Sequence, residues 1–295
     1  MNNLKYSLFI FLGACSYGIV ASVVKKGLAA GHTVYELIGS QYLIGFFLLI
    51  LTIPFIKKIK IAFKQIAALL MTGTVLSLTG IFYGLSIDHL PASLAIVLLF
   101  QFTWIGILIE AVYEKKLPNR KKLISVLFLL VGTIFASNLL LNTGESIEVA
   151  GLIYGLLSAL TYALFIFASG KAATSVPSIQ RSIYITLGGL ITLLFIVGPT
   201  IVAEGVHFSG LWKFSLAMAL FGAIFPIVFF AIGTPKVEAG LATIVGSAEL
   251  PAAIIAAMLI VGEKISSAQV FGIVLILIGI SIPQLHFFTK AQSKI

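Results

Sequence analysis

Ten sparsely charged, strongly apolar runs, each long enough for a helix to cross a bilayer, follow one another along this chain with little between them. A hydrocarbon core of about 30 Å takes about 20 helical residues. The runs near 6–24, 35–56, 65–87, 91–113, 123–141, 149–170, 180–203, 212–234, 239–261 and 267–287 meet that length. The longest polar linkers, 57–64, 114–122, 142–148 and 171–178, are too short to hide an extramembrane domain. With 60% hydrophobic and 10% charged residues, the chain departs from soluble domains, which run about 45–50% apolar and about 25% charged. Disorder is excluded by the high hydrophobicity, and a disulfide-stapled fold by the single cysteine, Cys15. The expected fold is an all-α membrane protein of ten transmembrane helices, with abundant Gly and Ala where helices pack closely.

Orientation follows from the basic residues, which cytoplasmic loops retain in excess. With the amino terminus inside, all but four of the 19 Lys and Arg fall on the inner side; the outer four are Lys25, Lys26, Lys213 and Lys264. Both termini are therefore expected in the cytoplasm, in a membrane of the bacterial inner type. The net charge of +9 is accounted for by these loops, and no nucleic-acid partner is expected. Residues 12–15, Leu-Gly-Ala-Cys, resemble a lipoprotein signal, but the apolar run continues to Val24, so Cys15 reads as a small residue inside the first helix.

The chain also repeats itself weakly. Gly13 to Gly18 can be laid on Ser158 to Ala163, which sets Tyr17 on Tyr162 and Lys26 on Lys171. Leu94-Ala95-Ile96 matches Leu241-Ala242-Thr243, and Glu114-Lys115 matches Glu263-Lys264 with a small shift. Five spans per repeat is an odd number, so the second unit, residues 143–295, enters the membrane upside down relative to the first, residues 1–142. Inverted repeats place a site at their interface near the midplane and permit alternating access.

Residues 80–85, Gly-Ile-Phe-Tyr-Gly-Leu, lead through Asp88-His89-Leu90-Pro91 into Ala92 to Leu99. Ala248-Glu249-Leu250-Pro251 runs on to Val261-Gly262-Glu263-Lys264, followed by Gly272 and Gly279. In these features the chain resembles the EamA-type, ten-helix branch of the drug/metabolite transporter superfamily. The resemblance implies that spans one to four and six to nine surround a central cavity while five and ten lie peripherally. It also favours export of a small organic metabolite or drug-like solute. The chain departs from the family's Glu-Pro pair by inserting Leu250, and the matching stretch Gln101-Phe102-Thr103-Trp104 has no proline.

Charge placement singles out a site by itself. Glu249 alone lies near the centre of an expected span, with Glu110 closer to the inner end of span four. A carboxylate at that depth costs about 2.5–3.5 kcal/mol on insertion scales, so it should face a cavity or a partner. Glu249 is the candidate for substrate binding and proton coupling; packing glue between helices is the structural alternative. Pro251 removes a backbone donor within span nine and is a hinge candidate. Gln101 and Trp104 share a helix face on span four. With Tyr17, Tyr83 and Tyr162 they are the aromatic and polar candidates for a substrate-binding chamber, and a partial cage for an organic ammonium is one reading of them. Tyr6, Tyr35, Tyr42, Tyr113 and Trp212 instead fit interfacial belts, and Lys26 and Lys171 read as helix-end lysines whose stems lie along the membrane.

No reactive constellation suggests an enzyme. The four histidines fall in linkers or at span ends, metal-binding spacings are missing, and Asp88 is the only aspartate. No metal or cofactor is expected, and a single central acid is too little polarity for a channel. The reading is a secondary carrier whose partners are a small-molecule substrate, the bilayer and protons, monomeric by default. A non-transporting membrane scaffold or sensor on the same fold is the alternative.

Overall fold

The computed structural model describes residues 2–56, 59–90, 92–137, 148–196, 198–199 and 210–283. Those residues build a helical bundle. Its elements are α1 (Asn2–Ala29), α2 (Val34–Leu51), α3 (Phe63–His89), α4 (Ala92–Leu99), α5 (Phe102–Glu114), α6 (Arg120–Ala136), α7 (Val149–Lys171) and α8 (Ser178–Ile196). They continue with α9 (Leu211–Ala219), α10 (Phe225–Gly233), α11 (Ala239–Gly246), α12 (Glu249–Ala256) and α13 (Ser267–Ser281). Counting α4–α5, α9–α10 and α11–α12 as single paths, eight of them are long and apolar enough to cross a membrane. Helices α6 and α13, of 17 and 15 residues, occupy the fifth and tenth expected spans. The far ends of those two spans, residues 138–141 and 284–287, and linker residues 142–147 lie outside the described residues, as do Lys57, Lys58, Pro91, His207 and His286.

Helix starts follow local chemistry. Thr33 caps α2, accepting from the Glu36 amide while the Glu36 carboxylate accepts from the Thr33 amide, and Ser266 with Gln269 repeats this box at α13. Two orphaned amides are satisfied at each end.

Three paths are interrupted, and in a membrane each freed backbone group needs a partner. The α4–α5 path turns at Phe100–Gln101 and the α11–α12 path at Ser247–Ala248. Pro251 occupies the first turn of α12, where its missing N–H would have had no intrahelical acceptor in any case. The Ser247 carbonyl, one turn back, accepts instead from Leu250. Between α9 and α10, residues Leu220–Ile224 form a wide turn ahead of Pro226. The Gly222 carbonyl, which Pro226 cannot reach, accepts from Gln41 Nε2 at 2.8 Å, and the Phe221 carbonyl accepts from Ser16 at 2.9 Å. Polar side chains of α2 and α1 thus repair a proline break in a neighbouring helix.

Close packing follows the small residues. Helix α3 lies against α7 and α8, α1 against α10, α11 and α12, α2 against α8 and α9, α5 against α7 and α11, and α6 against α13. A β-carbon at Gly73 would collide with the Ile185 carbonyl of α8, one at Gly188 with the Leu70 carbonyl of α3, and one at Gly272 with the Ala136 amide of α6. Backbones in direct contact gain dispersion where lipid supplies no hydrophobic drive. Tyr42 departs from the interfacial belt expected for it: it is 5% exposed, with its ring against Gly189 of α8. Hydropathy does not separate a ring at the membrane surface from one filling the space above a glycine. Tyr35, Tyr113 and Trp212 are exposed as expected.

Candidate functional site

Glu249 opens α12 immediately after the turn at Ser247–Ala248, at the positive end of a short helix. Gly18 brings α1 onto this point: a β-carbon there would lie 2.5 Å from the Glu249 carbonyl oxygen and 2.6 Å from the Ala253 amide. That approach sets Tyr17, the preceding residue, beside the break. From α7, the Tyr162 hydroxyl donates to Glu249 Oε2 at 2.9 Å. Helix α7 is fixed against α3 by the pair Thr79–Thr161 at 3.0 Å and by Ser86, which donates to the Gly151 carbonyl at 2.9 Å.

The aromatic candidates partly converge. Tyr17 meets Tyr162 edge-on at 6.3 Å between centroids, and Phe102, the first residue of α5, also packs on Tyr162, at 4.7 Å. Tyr83 lies within electrostatic reach of Glu249, as does the Cys15 thiol. Tyr162 is buried, whereas Tyr17, Tyr83 and Glu249 are half-buried. The Tyr17 hydroxyl is buried with no hydrogen-bond partner among the described residues.

Beside this cluster the face of α3 is open. Gly80, Tyr83 and Gly84 share that face by helical spacing, and a β-carbon at Gly80 or Gly84 would meet nothing within 4 Å. Two turns earlier the same face is sealed by Gly73 against α8. Toward the carboxyl end of α3, Ile87 and Asp88 are exposed.

Gln101 and Trp104 are brought to each other. Trp104 Nε1 donates to Gln101 Oε1 at 2.7 Å, and Gln101 Nε2 donates to the Val97 carbonyl, closing the α4–α5 turn. The Trp104 ring is 37% exposed on the outside of the bundle, in an apolar groove between α5 and α7.

Two charged clusters escaped the reading from sequence. Glu110, 6% exposed, pairs with Lys122 at 2.5 Å, and Lys122 pairs with Glu238 at 2.7 Å. Burial pulls the Lys122 ammonium toward neutrality, but the hydrogen bonds it donates to Glu110 and Glu238 outweigh this and hold the group above the ordinary lysine range. Arg181, 1% exposed, donates to the Ala231 carbonyl at 2.7 Å and to the Ser169 carbonyl, joining the ends of α10 and α7. A lone arginine just inside an apolar run was the available signal for the second cluster.

Residues 149–282 match the family model described as the EamA-like transporter family. A solved structure titled only as the crystal structure of a protein superposes with a TM-score of 0.78 at 15% identity, covering 96% of this chain and 97% of its own. At that identity it speaks for the fold alone. No curated protein matches in sequence.

Proposed function

We propose, from the match of residues 149–282 to the EamA-like transporter family model, that this multi-pass membrane protein is a secondary carrier moving a small organic metabolite or drug-like solute by alternating access. It does so through ten spans arranged as two inverted units, 1–142 and 143–295, with both termini in the cytoplasm of a bacterial inner membrane, exporting its solute and coupled to protons at Glu249.

Several features support the inverted arrangement. The turns at Phe100–Gln101 and Ser247–Ala248 share the offset that lays Leu94-Ala95-Ile96 on Leu241-Ala242-Thr243. Packing is reciprocal as well: α1 against α11–α12 corresponds to α7 against α4–α5, α1 against α10 to α7 against α3, and α2 against α9 to α8 against α3. Paired broken helices in corresponding positions point to the binding site. With the inner side assigned by the lysines, the open face at Gly80 and Gly84 lies toward the outer side and the tight α3–α8 packing at Gly73 and Gly188 toward the inner side.

One observation carries the reading: Glu249, a half-buried carboxylate bonded to Tyr162, lies beside the open glycine face of α3 with no basic residue paired to it among the described residues. Such a carboxylate can exchange a proton or a substrate group as access alternates. Flux of metabolite classes into proteoliposomes, with and without a pH gradient, tests it. At least one organic class should move in the wild type, with a dependence on pH that Glu249→Gln removes. If no class moves, the carrier reading fails; if Glu249→Gln moves the solute with unchanged pH dependence, the coupling role fails.

A further inference from the structure

On the outside of the bundle, α5 and α7 run side by side with their carboxyl ends together, since Tyr113 of α5 meets Phe167 of α7 edge-on at 5.0 Å. Between them lies an apolar groove of about 720 Å³ that runs from Trp104 past Leu108 and Leu160 to Tyr113 and Phe167. The nine-residue rise from Trp104 to Tyr113 is about 14 Å along the helix, close to one leaflet's share of a hydrocarbon core about 30 Å thick. A lysine stands at its Tyr113 end. Lys171 Nζ stands 4.8 Å above the centroid of Tyr113 and 6.0 Å from that of Phe167. Lys171 makes no ion pair among the described residues, although Glu114 is next to Tyr113 in the chain. Lys115 turns back in a left-handed conformation at φ 54°, and the Lys116 amide donates to the Ala111 carbonyl. That turn keeps both exposed lysines at the end of α5.

We propose that this groove is a binding site for an anionic phospholipid of the cytoplasmic leaflet, with one acyl chain laid between α5 and α7 and the phosphate on Lys171, supported by Lys115 and Lys116. The apolar floor reaches one leaflet deep, and an unpaired ammonium waits at headgroup level. A lysine near an anionic headgroup contributes about 1 kcal/mol, which is about a fivefold preference.

Native mass spectrometry of the full-length protein with equimolar phosphatidylglycerol and phosphatidylcholine of identical acyl chains tests the proposal. The wild type should retain phosphatidylglycerol about fivefold more. Lys171→Gln should bring the ratio near one, and Leu160→Trp, which fills the groove without touching a charge, should displace both lipids. Leu108→Trp fills it from the α5 side should Leu160→Trp fail to elute as a folded monodisperse species. Equal retention by the wild type overturns the site. So does a preference that survives Lys171→Gln, which would place the lipid on Lys115 and Lys116 alone, or retention undiminished by the filled groove.

Discussion

The Tyr162 hydroxyl donates to Glu249 across 2.9 Å and 87 residues of sequence, joining an unbroken helix to the first residue of an interrupted one. Removing that donor leaves the carboxylate without the one side-chain hydrogen bond it makes among the described residues. A hydrogen bond to a charged group is worth about 1.5–3 kcal/mol. Tyr162→Phe should lower the apparent melting temperature of the detergent-purified protein, whereas Glu249→Gln, which keeps an acceptor for Tyr162, should lower it less. A melt of Tyr162→Phe indistinguishable from the wild type would mean that the bond contributes nothing to the fold.

Two glycine pairs, Gly73 of α3 with Gly188 of α8 and Gly80 with Gly84 of α3, should respond in opposite ways. Gly73→Ala and Gly188→Ala force a methyl group into facing backbone and should destabilise by about 1–3 kcal/mol, the usual cost of overpacking. Gly80→Ala and Gly84→Ala meet open space and should be neutral, or stabilise by about 0.5–1 kcal/mol through helix propensity. Gly80→Phe should fold normally and yet slow solute flux by filling the open space on that face. Melting curves set beside flux for the four positions check the contrast; a severe folding defect in Gly80→Ala would mean that this face is packed.

Much of the bundle is legible in the chain because burial in lipid makes length and hydropathy nearly sufficient. The meeting of Tyr17 with Tyr162 is foreshadowed by their repeat offset. The interruptions were harder to read. Nothing in Leu99-Phe100-Gln101-Phe102 breaks a helix by propensity, and the turn there is held by side chains, with Gln101 bonding back to Val97. Trp104 shares the depth of Gln101, but depth says nothing about azimuth, and its ring lies in the outer groove. Arg181 reads in sequence as one more cytoplasmic charge, because its real partners are two helix ends distant along the chain.

Lys122 should behave as a buried structural cation. Lys122→Met strands Glu110 without its partner, and breaking a buried pair costs about 3–5 kcal/mol. Adding Glu110→Gln to Lys122→Met should restore part of the loss. Lys25 and Glu263 also form an ion pair, but both side chains are about half exposed, so Lys25→Ala should cost under about 1 kcal/mol. The pH dependence has a definite sign. Since the folded state holds Lys122 above the ordinary lysine range, its contribution is fully present below about 10.4 and is lost as pH rises through the raised value. Denaturation midpoints that already fall between pH 7 and 9 in the wild type, but not in Lys122→Met, would contradict this.

Arg181 poses a sharper test, because no acid answers its charge among the described residues. Its guanidinium instead joins carbonyls near the ends of α7 and α10, where the negative poles of two helices converge. A planar fork spans two acceptors at once, and an ammonium, a compact point donor on a flexible stem, does not reproduce that geometry. Arg181→Lys should therefore destabilise nearly as much as Arg181→Met. Each leaves at least one buried carbonyl unpaired, at about 1–3 kcal/mol apiece. Thermal melts of the two variants decide the point: if Arg181→Lys retains wild-type stability while Arg181→Met does not, charge at this position matters and the forked geometry does not.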